Sequence, residues 1–454
     1  MTKPIAIIHE FDWLFADDEN RGNRAKVKGV IGLRQYERLE KYLRREAGRG
    51  NAVDQMVRFG RHEGKNAIQV LNYVGVIRFA DGAQIEVLPK IELSGSDEDV
   101  TRKIFLKMLR ALLNFEEKAK VGGRAHVDDS RMRVFDVFVR RFLDDVAELV
   151  KRGLKGGYST VSGNEHFFKG KLNVAENIRQ NIVHRERFFV EYDVFSSDAP
   201  ENRLIRTTLE RLRTEVGDAG CRNDINRLLP VFEGVPRSTN VDADLLAAKA
   251  VRTSGLYRAV VDWCGVFLMH RGFAAFSGSH DVQTLLFPME KLFEAYVAHV
   301  VRKYASPDEW RVSAQEYGKC LFSCQGADRF ILKPDIVLRK DDQIIIADTK
   351  WKRLNKDERH AGVSQSDMYQ MYAYGKRYAE EGEGRTEYDV QAVHLIYPKR
   401  DEVGEKEYNE YSDGNGKGLC VKIDLFDFDK PSNDSHVEWE FVKSLLGEGE
   451  LDNE

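Results

Sequence analysis

The chain has 454 residues, of which 42% are hydrophobic, 32% charged and 10% aromatic, a globular profile that excludes a disordered or fibrous chain and fits roughly two to four domains. No apolar run approaches the roughly 18 residues that a membrane helix needs, so no membrane association is expected. The net charge of −4 excludes a whole-chain basic field for nucleic acid, yet the charge is uneven: Arg102 to Lys155 holds 14 Lys/Arg against 8 Asp/Glu, and Asp401 to Glu454 holds 5 against 16.

Met1 to Glu10 lacks the basic and apolar regions of a signal peptide. The cysteines (Cys221, Cys264, Cys320, Cys324 and Cys420) are odd in number and mostly scattered. A disulfide framework is therefore not expected, and a reduced, cytoplasmic setting is.

In chain order, Lys3 to His9 reads as a short strand. Gly32 to Ala47 reads as a helix with Leu33, Tyr36, Leu39 and Leu43 on one face. Asp81-Gly82, between Val74–Phe79 and Ile85–Leu88, predicts a hairpin with a tight primed turn. Asp97 to Phe115 and Arg131 to Arg152 are amphipathic helices, the second closed by Gly153. Ala16 to Gly29 and Gly48 to Asn66 are polar and Gly-rich without a core-facing pattern, which predicts long loops or protrusions. Lys169-Gly-Lys171 reads as a turn, Phe188 to Phe195 as a strand, and Pro200 opens a helix over Glu201 to Val216. Asp242 to Gly272 is mostly helical, with a break near Ser254-Gly255. Thr284 to Tyr304 predicts a helix whose apolar stripe runs from Met289 through Leu292, Phe293, Tyr296 and Val300. Strands follow near Trp310–Gln315, Lys319–Cys324, Phe330–Leu338 and Gln343–Trp351. A helix then runs from Ser364 or Ser366 to about Glu381, and a last strand covers Val390–Tyr397. The chain thus divides into a mixed α/β part (1–160), a mainly helical part (161–280) and an α/β unit with a mixed sheet (281–454), α+β overall.

The chemistry concentrates in Lys333-Pro-Asp335-Ile-Val-Leu338 and Ile344-Ile-Ile-Ala-Asp348-Thr-Lys350. If the charged turn between these strands centres on Asp341 and Asp342, opposed residue numbers total 683, and Asp335 faces Asp348. Opposed side chains have Cβ atoms about 4.5–5.5 Å apart, close enough for two carboxylates to share a divalent cation through hard oxygen ligands, with Mg²⁺ the expected ion. Lys350, two residues beyond Asp348, leaves the same face. It is placed to orient water or to stabilise charge on a phosphodiester during hydrolysis. Ile336, Leu338, Ile345 and Ala347 lie on the other face, as in a sheet covered on both sides. The bland alternative is a hairpin with an Asp at each strand end and a solvated lysine. Gln370 and Tyr374 share a helix face after the site, and Glu290 and Glu294 share one before it, where either glutamate is positioned to add a carboxylate.

Pro334-Asp335, Asp348-Thr-Lys350 and Gln370-x-x-x-Tyr374 resemble the PD-(D/E)xK nuclease superfamily and its RecB-like branch. The wider chain resembles the McrC family of modification-dependent restriction systems. The resemblance rests on Gly75-Val-Ile, Leu88-Pro-Lys-Ile91, Lys169-Gly-Lys-Leu172, Glu176-Asn-Ile178, Tyr192-Asp193, Phe195-Ser196, Asn202 with Leu204, and Leu292-Phe-Glu-Ala-Tyr296. It implies a PD-(D/E)xK-like core at 281–454 and a Mg²⁺-dependent DNA endonuclease subunit of a type IV, McrBC-like complex. It also implies docking of residues 1–160 into a ring of McrB-like AAA+ GTPase subunits, stimulation of that GTPase, and action on double-stranded DNA carrying modified cytosine. The superfamily's catalytic trio falls on Asp335, Asp348 and Lys350, with Glu294 at its helix carboxylate. Two rival readings remain: an autonomous repair or recombination nuclease, and a non-catalytic activator of an AAA+ ring.

No Gly-x₄-Gly-Lys-Ser/Thr is present, so the chain is not expected to bind nucleotide itself. Cys320-x₃-Cys324 lacks two ligands for a zinc site and reads as strand packing. Lys169 and Lys171, with Arg179, Arg185 and Arg187, form a basic cluster that suits DNA-backbone or partner contact, or simply decorates a turn.

Overall fold

The computed structural model describes residues 5–16, 29–48, 53–62, 64–79, 81–91, 98–112, 133–250, 255–268, 282–324, 326–341, 343–352, 354–355, 357–379, 389–399, 410–412, 419–428 and 434–447. The first part contains strands β1 (Ala6–His9), β2 (Trp13–Ala16) and β3 (Val30–Ile31), helices α1 (Leu33–Gly48) and α2 (Val53–Met56), and strands β4 (Val57–His62), β5 (Lys65–Val70), β6 (Tyr73–Phe79) and β7 (Gln84–Leu88). Residues 53–62 and 64–66 are therefore not a loop: α2 leads into the antiparallel β4–β5 pair. Their buried positions, Val53, Met56 and Val57, straddle the change from helix to strand and are too few to give one readable period. The other stretch expected as a protrusion falls mostly outside the described residues. The β6–β7 turn is also looser than the two-residue turn expected. Phe79 and Ala83 pair across it, with Gly82 at φ +83°.

Helices α3 (Glu98–Leu112) and α4 (Val134–Arg152) follow, and Gly153 closes α4 at φ +90°. Then come β8 (Gly157–Glu165), β9 (Lys171–Leu172), α5 (Val174–Asn181) and β10 (Phe188–Ser196), with the sheet order β8-β10-β9. This small sheet opens a part of the chain that the sequence reads as mainly helical. Helices α6 (Pro200–Glu215), α7 (Ala219–Leu228), α8 (Val241–Ala250) and α9 (Gly255–Leu268) complete it.

The predicted helix at 284 begins instead as strand β11 (Val282–Pro288), and α10 (Met289–Tyr304) starts after Pro288. Pro288 has no N–H to give a ladder or a helix interior, so it suits the change from strand to helix. β11 pairs with β6 and completes a sheet in the order β1-β7-β6-β11. At their crossing, Gly75 has φ +142°, and a Cβ there would lie 2.0 Å from the Leu285 carbonyl oxygen. Only glycine fits that approach.

The last unit contains β12 (Arg311–Ala314), β13 (Lys319–Cys324), β14 (Ala327–Leu332), β15 (Ile336–Lys340), β16 (Gln343–Thr349), α11 (Gln365–Ala379), β17 (Asp389–Pro398), β18 (Glu410–Ser412), β19 (Cys420–Phe426) and α12 (Asp434–Leu445). The strand expected over Phe330–Leu338 is two strands, interrupted at Lys333-Pro334-Asp335, because Pro334 gives no ladder hydrogen bond. The main sheet has the order β12-β15-β16-β17-β19-β18. Its β16–β17 and β17–β19 pairs are parallel and the others antiparallel.

This sheet is covered on both faces. Ile336, Leu338, Ile345 and Ala347 join Leu292, Phe293 and Val297 of α10 in a large core that continues into α3, α4 and α6–α9. Val337, Ile344 and Ile346 pack with Met371, Tyr374 and Tyr378 of α11. Burying side chains of this size stabilises the fold by about 1.5–3 kcal/mol each. A third core, with Ile8, Leu14, Leu39, Ile68 and Leu286, holds the N-terminal sheets. Among the described residues no helix is long and apolar enough to cross a membrane.

Candidate active site

The β15–β16 hairpin sets the site. Ile336 pairs with Ala347 and Lys340 with Gln343, the register expected from the sequence. The turn takes Asp341 at φ +48°, as primed turns require. One step beyond the ladder, Asp335 stands across from Asp348. The Thr349 N–H and hydroxyl both donate to Asp335 Oδ2, at 2.7 Å each. The Gln315 N–H donates to the Asp335 carbonyl at 2.9 Å. Asp348 is only 2% exposed, and Lys350 Nζ donates to its Oδ2.

A chain of hydrogen bonds leads back from the lysine. Lys350 Nζ donates to Gln370 Oε1 at 3.1 Å, Gln370 Nε2 to the Tyr374 hydroxyl at 2.7 Å, and that hydroxyl to the Lys333 carbonyl at 3.0 Å. The helix spacing i, i+4 makes the middle link, and Ser364 caps the helix by accepting from the Asp367 N–H at 3.2 Å. The predicted trio and both α11 residues thus meet in one place.

Glu294 joins them from α10. It is buried, accepts from Lys291 Nζ at 2.7 Å, and accepts from Gln315 Nε2. Glu290 does not join. It lies one helical turn earlier, is exposed, and accepts from Asn72 Nδ2 at 3.0 Å.

Electrostatics mark the cluster. Burial, together with the charges of Asp348 and Glu294, pushes the Asp335 carboxyl up to about 7. Burial also pushes Asp348 up, against the pull of Lys350. The Tyr374 hydroxyl is raised by burial and by the Asp348 charge. Among the described residues, no group of three or more His, Cys, Asp or Glu side chains stands ready-made around one point. The carboxylates instead engage the chain's own donors.

Three contributors had little signal in the sequence. Gln315 bridges Asp335 and Glu294 from a φ of +49°. Thr349 occupies the unspecified position of Asp-x-Lys. Glu10, 1% exposed, accepts from Trp351 Nε1 at 3.0 Å and from the Lys90 N–H at 2.9 Å, and so ties the N-terminal part to the residue after Lys350. Burial pushes its carboxyl up to about 7.

The basic cluster sits elsewhere, on and around the three-stranded sheet. Lys169 lies 3.9 Å from the Tyr192 ring centre and 3.3 Å from Glu165. Arg179 pairs with Glu176 at 2.9 Å, and Lys171, Arg185 and Arg187 are exposed. Of the cysteine pair on β13, Cys320 is buried, with its thiol 3.3 Å from Asp328 Oδ1. Cys324 is exposed, contrary to the expected shared packing.

Over nearly its full length the chain is similar to a chain of a half-complex from the tetradecameric assembly of Thermococcus gammatolerans McrB AAA+ hexamers with bound McrC. The identity is 17%, the TM-score 0.61, and the match covers 97% of this chain and 99% of that one. At that identity the likeness speaks for the fold. A chain of the Thermococcus gammatolerans McrBC complex also matches at 17% identity, with a TM-score of 0.45 over 66% of this chain and 88% of that one. No curated protein matches. The model of one family, described as McrBC 5-methylcytosine restriction system component, matches residues 68–398. The chain therefore belongs to the McrBC restriction-system component family.

Proposed function

We propose that the chain is the DNA endonuclease subunit of a modification-dependent restriction complex, with Mg²⁺ as its cofactor. The observation that carries this reading is the convergence of half-buried Asp335 with buried Asp348 and Glu294 and with Lys350 at one end of the mixed sheet. Burial, with the neighbouring charges of Asp348 and Glu294, raises Asp335 to about 7, and carboxylate oxygens are the ligand type that suits a hard divalent cation. Asp335 and Asp348 would hold it, with Glu294 in support. When bound, such a cation supplies the charge that polarises a phosphate and lowers the pKa of water.

The chain's own residues do the rest. Lys350, steadied by Asp348 and Gln370, presents an ammonium to the attacking water or to the charge developing on the phosphate oxygens. Tyr374 fixes both Gln370 and the backbone before Asp335, so lysine and carboxylate move as one unit. Exposed Lys169, Lys171 and Arg185 are assigned to DNA-backbone or partner contacts outside the catalytic cluster. The McrB AAA+ hexamers of the similar assembly support a ring-forming AAA+ partner; in this reading it is a GTPase that residues 1–160 dock into, supplying the nucleotide chemistry for which this chain has no P-loop. The substrate in this reading is double-stranded DNA with modified cytosine, and the compartment is the cytoplasm.

The test is cleavage of methylated plasmid with Mg²⁺, with and without the AAA+ partner and GTP. Cutting should require both, and Asp348→Asn should lower it about 10³-fold while ring binding persists. Cutting by the chain alone would point to an autonomous nuclease. No cutting, with faster GTP hydrolysis by the partner, would point to a pure activator.

A further inference from the structure

The β13–β14 hairpin is used by none of the chemistry above, and it is built unlike the rest of the unit. Among the described residues it forms a separate two-stranded sheet, outside the six-stranded one. Its root is fixed: Lys319 Nζ donates to the Arg377 carbonyl at 3.2 Å, Arg377 Nε donates to the Cys320 carbonyl at 2.9 Å, and Leu332 is buried. Its body is bare, with Ala327 through Ile331 all exposed. Two phenylalanines stand on it, Phe322 at 63% and Phe330 at 73% exposure, their rings edge to face at 6.3 Å. Phe330 is held at φ +55°, a backbone region that bulky L-residues avoid and that recurs at ligand clamps.

The surroundings are cationic. From Tyr317 to Lys333 the chain carries Lys319, Arg329 and Lys333 against the single carboxylate of Asp328. Lys333 Nζ lies 4.9 Å from the centre of the exposed Tyr317 ring. The hairpin is also continuous with the candidate active site. Lys333 is two residues from Asp335, and its carbonyl is the group that Tyr374 holds.

We propose that this hairpin is a DNA wedge: Phe322 and Phe330 enter the minor groove beside the scissile phosphate and open a base step, while Arg329 and Lys333 take the flanking phosphates. The assignment rests on the nuclease reading and adds a contact to it. Apolar side chains that enter the minor groove unstack a step and bend the duplex, which brings more phosphate to the protein. Cations next to exposed aromatics match a polyanion with stackable bases. A protein-docking patch is depleted of charge at its centre.

The test uses the full chain and a short duplex carrying 2-aminopurine at the expected step, without Mg²⁺ for binding and with Mg²⁺, partner ring and GTP for cleavage. Wild type should raise 2-aminopurine fluorescence on binding. Phe322→Ser/Phe330→Ser should abolish the rise and weaken binding at least about tenfold, and a mismatch bubble at the same step should restore its cleavage to near wild type. Both residues are exposed, so the melting temperature should hold. Arg329→Gln/Lys333→Gln is the second arm. It should keep the fluorescence rise and lower the salt slope of binding by about one to two. Unchanged fluorescence and affinity in the phenylalanine variant would overturn the wedge, as would loss of assembly with the ring or with a second copy. If wild type opens the step but never cuts, the nuclease reading fails while the wedge stands. If Asp348→Asn keeps the rise and loses cutting, both hold.

Discussion

The six-stranded sheet and the small β8-β10-β9 sheet each have an apolar strand, β16 with Ile344–Ala347 and β10 with Phe188, Phe189, Val190, Val194 and Phe195, yet these strands end in opposite states. In β16 every residue from Ile344 to Thr349 is buried, whereas β10 buries only Val190. The large sheet is held by side chains from helices on both faces. The small one is held by amides: Asn164 and Asn181 exchange hydrogen bonds at 2.7 and 2.8 Å, Asn181 also donates to Asn177 at 2.8 Å, and Asn173 donates to Glu191 at 2.8 Å. Phe167, Phe168, Ile182 and Val183 stay exposed around it. A dry, covered sheet can raise carboxylate pKa values and fix a catalytic cluster. A sheet held by polar bonds leaves its apolar side chains free for contact.

The comparison can be broken from either side. Ile346→Ala removes a fully buried side chain from the covered sheet, and should cost about 2–5 kcal/mol in denaturant unfolding and weaken cleavage with it. A loss below 1 kcal/mol would mean that the two sheets differ less than their burial indicates. Glu10→Gln tests the buried charge beside the site. In the folded chain Glu10 keeps its proton until about pH 7, whereas the unfolded chain releases it near 4.5. The folded pKa is raised, so the native state is favoured at low pH and loses stability as pH rises from 4.5 to 7. The loss is about 3 kcal/mol from this group. The glutamine variant should therefore be more stable than wild type above pH 7 and nearly equal to it below 4.5, read from urea midpoints across pH. Equal stability at both ends would refute the shift. Asn181→Ala should loosen only the small sheet, by about 1–3 kcal/mol. Faster amide exchange in β8 and β10 than in β16 is the expected result, and uniform change across both sheets would count against their independence.

Much of the large sheet was legible in the sequence because its information is local. A two-residue turn fixes the register, and the register alone brings Asp335 to Asp348. The helix periods of α10 and α11 place Glu294, Gln370 and Tyr374 in the same way. What escaped is non-local or polar. The Glu10–Trp351 bond joins residues 341 positions apart in the chain. Pairing of β11 with β6 leaves no mark on either strand beyond a glycine. The same apolar run around Thr284 that suits a helix suits a central strand, and only its partner decides. Asn173, Asn177 and Asn181 of the small sheet's network recur at helical spacing, but their partners Asn164 and Glu191 lie on strands, so the period alone does not reveal the network.

The pairing of β11 with β6 also sets a timetable. β6 ends at Phe79, and its neighbour does not begin until Val282, so about 200 residues must leave the ribosome before that edge is closed. At roughly 5–20 residues per second this takes on the order of 10–40 s. Throughout that interval the nascent chain carries an apolar strand with an open hydrogen-bonding edge, a template for pairing with other chains. Yield in the cell then depends on chaperone cover during synthesis as well as on the stability of the finished fold.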